Sequence, residues 1–127
     1  MIRFGDALRL CREKRGLGLR ELKTLSGIDH AYIHRLETSS KLSPSDEAFN
    51  ALVRALKVST RMRDILNSLR NIEGVPDALF EAMLANEDRS IKAFEVAPKM
   101  SFRGERPSTL EDWDKLLGEL DEKYFPQ

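Results

Sequence analysis

The chain has 127 residues, 41% hydrophobic and 33% charged, enough for one modest core with an appendage and too few for two full domains. No apolar run approaches the ~18 residues of a membrane helix, and Met1-Ile2-Arg3-Phe4-Gly5-Asp6 lacks the apolar stretch of a secretory signal, so no membrane association and a cytoplasmic location are expected. Formal charge is zero, yet residues 1–63 hold 13 Lys/Arg against 7 Asp/Glu and residues 64–127 hold 8 against 14, a split of +6 and −6 that suits the halves to different partners.

Helical signals dominate, and no segment sustains the period-2 alternation of a strand, so the fold class is all-α. A first helix is predicted over residues 4–14, with Phe4, Ala7, Leu8 and Cys11 on one face, stopping at Arg15-Gly16 where glycine accepts φ > 0. Cys11, the single cysteine, excludes an internal disulfide and reads as a small core filler rather than a nucleophile. A short second helix covers residues 19–25, Ser26-Gly27-Ile28 makes a tight turn, and Asp29 is placed to cap a third helix running to about residue 38. Beyond the polar loop Ser39-Ser40-Lys41-Leu42-Ser43, Pro44 suits the start of a fourth helix that buries Phe49, Leu52, Val53 and Leu56.

A fifth helix is predicted over residues 60–72. Its Met62, Ile65, Leu66, Leu69 and Ile72 form a stripe that either closes the core or meets a second subunit. After Gly74-Val75-Pro76 a sixth helix covers residues 77–85, and Pro98, Gly104 and Pro107 mark residues 97–107 as a linker. Ser108-Thr109-Leu110-Glu111 then reads as a capping box opening an acidic amphipathic helix with Leu110, Trp113, Leu116, Leu117, Leu120 and Tyr124 at helical spacing.

The run Phe4-Gly5-Asp6-Ala7-Leu8-Arg9-Leu10-Cys11-Arg12-Glu13-Lys14-Arg15-Gly16-Leu17 is followed by Leu22, Leu25-Ser26-Gly27-Ile28, Tyr32-Ile33-His34-Arg35-Leu36-Glu37 and Leu52-Val53-Arg54-Ala55-Leu56-Lys57-Val58. In this order residues 4–58 resemble the Xre/Cro family of phage-repressor-like helix-turn-helix domains. The resemblance implies a five-helix lambda-repressor-like DNA-binding domain over residues 1–72. Additional C-terminal helices over residues 73–127 would serve dimerisation or partner binding.

A rigid turn centred on Gly27 sets two helices at a steep angle, so that the second can enter the ~12 Å major groove while the first crosses the backbone. Leu22, Leu25, Ile28, Ile33 and Leu36 are expected to hold that angle. Outward residues His30, Ala31, His34 and Arg35, flanked by Lys41 and joined by Arg20 on the second helix, are the DNA-binding candidates.

By resemblance, His30, Ala31 and Arg35 approach base edges and His34 lies nearer the groove wall. Arg35 is the first choice for base reading, since its planar fork bonds guanine O6 and N7 together for roughly 1–3 kcal/mol of discrimination; phosphate contact or plain surface charge is the alternative. Arg12 and Glu37 match a structural pair joining the first helix to the end of the recognition helix.

Three residues depart from the family pattern. Leu19 stands where relatives often carry glutamine, Lys23 where a small alanine is usual, and Asp29 where serine or threonine is common. Either the Lys23 stem passes out beyond the recognition helix or the packing is altered, and the Asp29 carboxylate would sit near the phosphate backbone.

His30 and His34 share the i, i+4 spacing of zinc-binding helices, but residue 31 is Ala where a metallopeptidase carries its general-base Glu, and the chain has 2 histidines in all. Glu111, Asp112 and Asp114 read as a solvated helix face complementing the dipole. No enzyme activity, cofactor or metal is expected.

The residues past about Ile72 need their own account. Met100, Phe102, Trp113, Tyr124 and Phe125 are anchor-type side chains in an acidic context, suited either to a partner or to folding back on the protein. Two function classes follow. One is an autoregulatory repressor that binds an inverted repeat as a homodimer, with a type II antitoxin or mobile-element regulator, its tail meeting a toxin or protease, as the narrower form. The other is a protein-interaction module that keeps the fold with little DNA affinity. Met62, Ile65, Leu66, Leu69 and Trp113 are the candidates for the dimer or partner surface.

Overall fold

The computed structural model describes residues 1–39 and 41–126, and among these the architecture is all-α. The helices are α1 (Phe4–Lys14), α2 (Leu19–Ser26), α3 (His30–Thr38), α4 (Asp46–Leu56), α5 (Thr60–Arg70), α6 (Asp77–Ala85), α7 (Ile91–Val96) and α8 (Leu110–Tyr124), with a 3-10 turn at Ala97–Lys99. Ser40, part of the expected polar loop, lies outside the described residues. The chain divides into two compact units, Arg3–Gly74 and the residues from Val75 onward together with Met1–Ile2. No helix among the described residues is long and apolar enough to cross a membrane.

In the N-terminal unit α3 packs on α1 and α2, α2 on α4, and α1 on α5. Phe4, Ala7, Leu8 and Cys11 bury one face of α1, and Leu22, Ile33, Leu36, Phe49, Leu52 and Leu56 are buried with them in the core, the Phe4 and Phe49 ring centroids 6.2 Å apart. Each large side chain taken fully out of water contributes about 1.5–3 kcal/mol to that core. Burial also pushes the Cys11 thiol up, which keeps it neutral and unreactive. Gly5 marks the closest approach of α1 to α3: a Cβ there would collide with the carbonyl oxygens of Leu36 and Glu37.

Two details differ from the sequence expectations in this unit. Pro44 lies outside α4; Ser45 caps it instead, its hydroxyl accepting the Ala48 N–H at 3.2 Å, a bond that proline has no side-chain atom to make. Leu25 is 55% exposed, because it falls in the last turn of α2 beyond the cover of the neighbouring helices, so the helix angle rests on Leu22, Ile33 and Leu36, with Ile28 half-buried. The α5 stripe resolves toward core packing: Ile65, Leu66 and Leu69 are buried in the single chain, with Met62 and Ile72 half-buried, so the three offer no free apolar face to a second subunit.

In the C-terminal unit α6 and α7 pack on α8. Its core is Leu79, Phe80, Met83, Phe94, Trp113, Leu117 and Leu120, and an isolated bridge pairs Ile2 with Val75. Helix α7 is absent from the sequence expectations; Ser90 caps it by accepting the Ala93 N–H at 3.0 Å. The expected linker over residues 97–107 is also partly packed. Ala97 is fully buried, and Arg106 donates to the Pro98 carbonyl at 3.0 Å while its guanidinium lies over the rings of Phe102 and Trp113. Trp113, expected at a partner surface, is 1% exposed, held edge-on by Phe102 with ring centroids 6.4 Å apart. Its apolar area is filled from within, as the fold-back alternative requires. The cap of α8 lies one residue after the expected serine, at Thr109, whose hydroxyl accepts the Asp112 N–H at 3.1 Å.

Candidate nucleic-acid interface

Local sequence sets the geometry of the α2–α3 pair. The Gly18 N–H donates to the Glu21 carboxylate at 3.1 Å, opening α2. Gly27 closes it at φ 76, in the left-handed region where only glycine is unstrained, with its N–H on the Lys23 carbonyl at 2.8 Å. The Asp29 side chain then accepts the Ala31 N–H at 3.1 Å and starts α3 in a new direction.

Arg12 fixes the far end of α3. Its Nε and Nη2 reach the two Glu37 oxygens at 2.7 and 2.8 Å, and its Nη1 donates to the Leu17 carbonyl at 2.9 Å. The hydrogen bonds it donates to Glu37 hold the guanidinium more firmly charged than usual. With α3 anchored at both ends over a buried Ile33 and Leu36, its outer face is rigid.

That face carries Ala31, His34 and Arg35, all exposed, with His30 half-buried at the first turn. The Arg35 guanidinium lies 5.8 Å from the Tyr32 ring centroid, a contact that steadies the fork without using its donors. The His30 Nδ1 is shut off from solvent without a hydrogen-bond partner, 3.7 Å from Asp29. Arg20, in the first turn of α2, is exposed, and so is Lys41, whose N–H donates to the Ser39 hydroxyl at 3.3 Å.

The three departures have distinct consequences. Leu19 is half-buried and offers no polar group at the start of α2. Lys23 takes the outward course of the two open to it: its side chain is exposed and its Nζ stands 3.6 Å from the Asp29 carboxylate. Desolvation pushes the Asp29 carboxyl up, but the Ala31 amide, His30 and Lys23 outweigh it and hold it below the ordinary aspartate value. The negative charge at the mouth of α3 therefore has its own counter-charge.

Sequence reasoning missed two roles here. Tyr32 as the support of Arg35 was legible in its i, i+3 spacing. The Lys23–Asp29 pair was not, since the two residues lie on either side of a turn whose angle only the fold supplies. Among the described residues no group of three or more His, Cys, Asp or Glu side chains is placed to hold a metal ion.

Two capped helices joined through a left-handed glycine, the second presenting a rigid polar face, define a helix-turn-helix protein. The chain belongs to the helix-turn-helix domain family, whose model matches residues 3–66. It is similar to the HTH-type transcriptional repressor RghR of Bacillus subtilis (strain 168), with 38% identity over 55 residues. That stretch is 43% of this chain and 41% of the relative, so the match spans about two fifths of the relative's length.

Proposed function

We propose that the protein is a sequence-specific DNA-binding transcriptional regulator of the Xre/Cro type, an autoregulatory repressor that lays α3 in the major groove of an inverted repeat as a homodimer. The observation that carries this reading is the anchored α3, with Arg35 exposed on a basic unit and its guanidinium resting on Tyr32. Residues 3–74 hold 14 Lys/Arg against 9 Asp/Glu. Within it Arg35 reads a base edge, His30 and Ala31 line the same edge, and His34, Arg20 and Lys41 meet the backbone. The dimer follows from size: one nine-residue helix reads few base pairs, and two-fold symmetry sets a pair of them about 34–36 Å apart, one turn of DNA. A DNA target places the protein in the cytoplasm and needs no cofactor.

A narrower form, in which the C-terminal unit neutralises a toxin or senses a protease, is supported by the family resemblance and by the exposed acids of α8. Trp113 does not support it, being buried. Half-buried Leu19 favours the second reading, a protein-interaction module with little DNA affinity; the Lys23–Asp29 pair weighs against that.

Selection of bound sequences from a random duplex library, followed by sedimentation with the enriched duplex, tests the proposal. An enriched inverted repeat carrying two protein copies is the expected result. Absence of salt-dependent enrichment overturns DNA reading in favour of the interaction module, and one copy on a single half-site overturns the dimer.

A further inference from the structure

We propose a second phosphate-binding site in the cleft between α4 and α5, formed by Arg54, Lys57 and Arg63. It would take adjacent phosphate groups, either of a nucleic-acid backbone or of a free nucleotide polyphosphate. None of these residues lies on α2, the turn or α3, so the site stands or falls independently of the recognition helix.

The cleft has a volume of about 500 Å³, with Val53 in its wall and Asn50 and Thr60 as neutral polar groups beside the three cations. No carboxylate lines it. Arg54 and Lys57 pair with no acid among the described residues, and the partner of Arg63 is the neutral Asn50 Oδ1 at 3.3 Å. Arg12, Arg70 and Arg9 of the same unit are by contrast each paired with an acid, Glu37, Asp46 and Glu13.

Three features at the cleft work against folding, and an anion offsets the two that arise from charge. The three cations repel one another across one cavity. Lys57 sits at φ 52, a left-handed conformation in which glycine would be relaxed, yet a long cationic side chain occupies it. The first turn of α5 has no acidic residue, and Arg63 follows it at the cleft, the reverse of what the helix dipole favours. A doubly charged phosphate oxygen cluster neutralises the repulsion and accepts from guanidinium and ammonium donors together, which a point anion such as chloride does not.

The full-length protein and the variants Lys57→Gly, Arg54→Gln and Arg63→Gln are titrated with inorganic tripolyphosphate and, separately, with random-sequence duplex over a salt series. Lys57→Gly relieves the left-handed strain, so its melting temperature is unchanged or raised, which separates binding from folding. Tripolyphosphate affinity should fall about tenfold in each variant. A duplex salt slope flatter by about one per removed cation identifies the nucleic-acid backbone as the source, whereas an unchanged slope identifies a free polyphosphate. The proposal is overturned if wild type and variants bind tripolyphosphate equally and share one duplex salt slope. It is equally overturned if the variants alter only self-association, which would make the cleft a seat for an acidic protein surface.

Discussion

Lys23 and Asp29 meet across the helix-turn-helix turn, Nζ to carboxylate, at 3.6 Å. The lysine that departs from the small-residue pattern of α2 thus compensates the acid that departs from the usual cap of α3. In the proposed DNA complex, removing Lys23 leaves the Asp29 charge uncompensated near the phosphate backbone, so Lys23→Ala should weaken binding to every duplex alike. Lys23→Ala with Asp29→Asn should bind more tightly than Lys23→Ala alone. Equal affinities for the single and double variants, measured by fluorescence anisotropy at one salt concentration, contradict the coupling.

The Arg12–Glu37 pair holds α1 to the end of α3 with side chains 12% and 3% exposed. Deleting one partner strands the other charge in a nearly dry site, so Arg12→Ala and Glu37→Ala should each cost about 3 kcal/mol in urea unfolding. Replacing both with Met and Leu should recover most of that loss, because no lone charge remains. A double variant as unstable as the singles would show that the pair acts through packing alone.

In the C-terminal unit, hydrogen bonds from Arg89 at 2.9 and 3.1 Å, joined by one from Asn86, hold the Asp114 carboxyl below its ordinary value. A depressed carboxyl stabilises the folded state above the unfolded aspartate value, about pH 4, and loses that contribution as pH falls through the folded value. Asp114→Asn should therefore lower stability at neutral pH and flatten its decline below about pH 4. Thermal melts across pH 2.5–7 read this directly; parallel curves for the two proteins refute it.

Trp113 is fully enclosed, and the loop before α7 is tied to α8 by the Ser90 N–H on Asp121 at 2.9 Å. Trp113→Ala should cost about 3–5 kcal/mol in the unfolding transition that includes α8. Truncation after Val96 should unfold what remains of the C-terminal unit, since α6 loses the helix it packs on. A truncated chain that keeps the helical signal of α6 and α7 would restore the detachable tail.

How much of this was legible depended on how many residues each signal spans. Helices α1 and α6 match their expected bounds because apolar periodicity and end signals agree over several turns, and α3 follows from Asp29 and the turn before it. At α4 two start signals sit side by side, and Ser45 overrules Pro44 because capping needs an acceptor oxygen. Helix α7 has six residues, too few for a period to show, and only Ser90 announces it. Pro98, Gly104 and Pro107 looked like a linker because composition does not report that Arg106 stacks on Trp113. On the recognition face, which residues point outward was readable from periodicity. The exposure of Leu25 and the charge pairing at the turn depend on the angle between helices, which no local pattern encodes.

The central claim is that α3 reads sequence through Arg35, and the most direct test compares Arg35→Ala with wild type on the selected duplex, on its single-base variants and on random duplex. Arg35→Ala should lose about 1–3 kcal/mol of discrimination at one base pair of each half-site while binding random duplex nearly as before, and Lys41→Ala should weaken all duplexes together with a salt slope flatter by about one. If Arg35→Ala instead weakens selected and random duplex by the same factor, Arg35 contacts phosphate alone and the account of α3 as the reading element is contradicted.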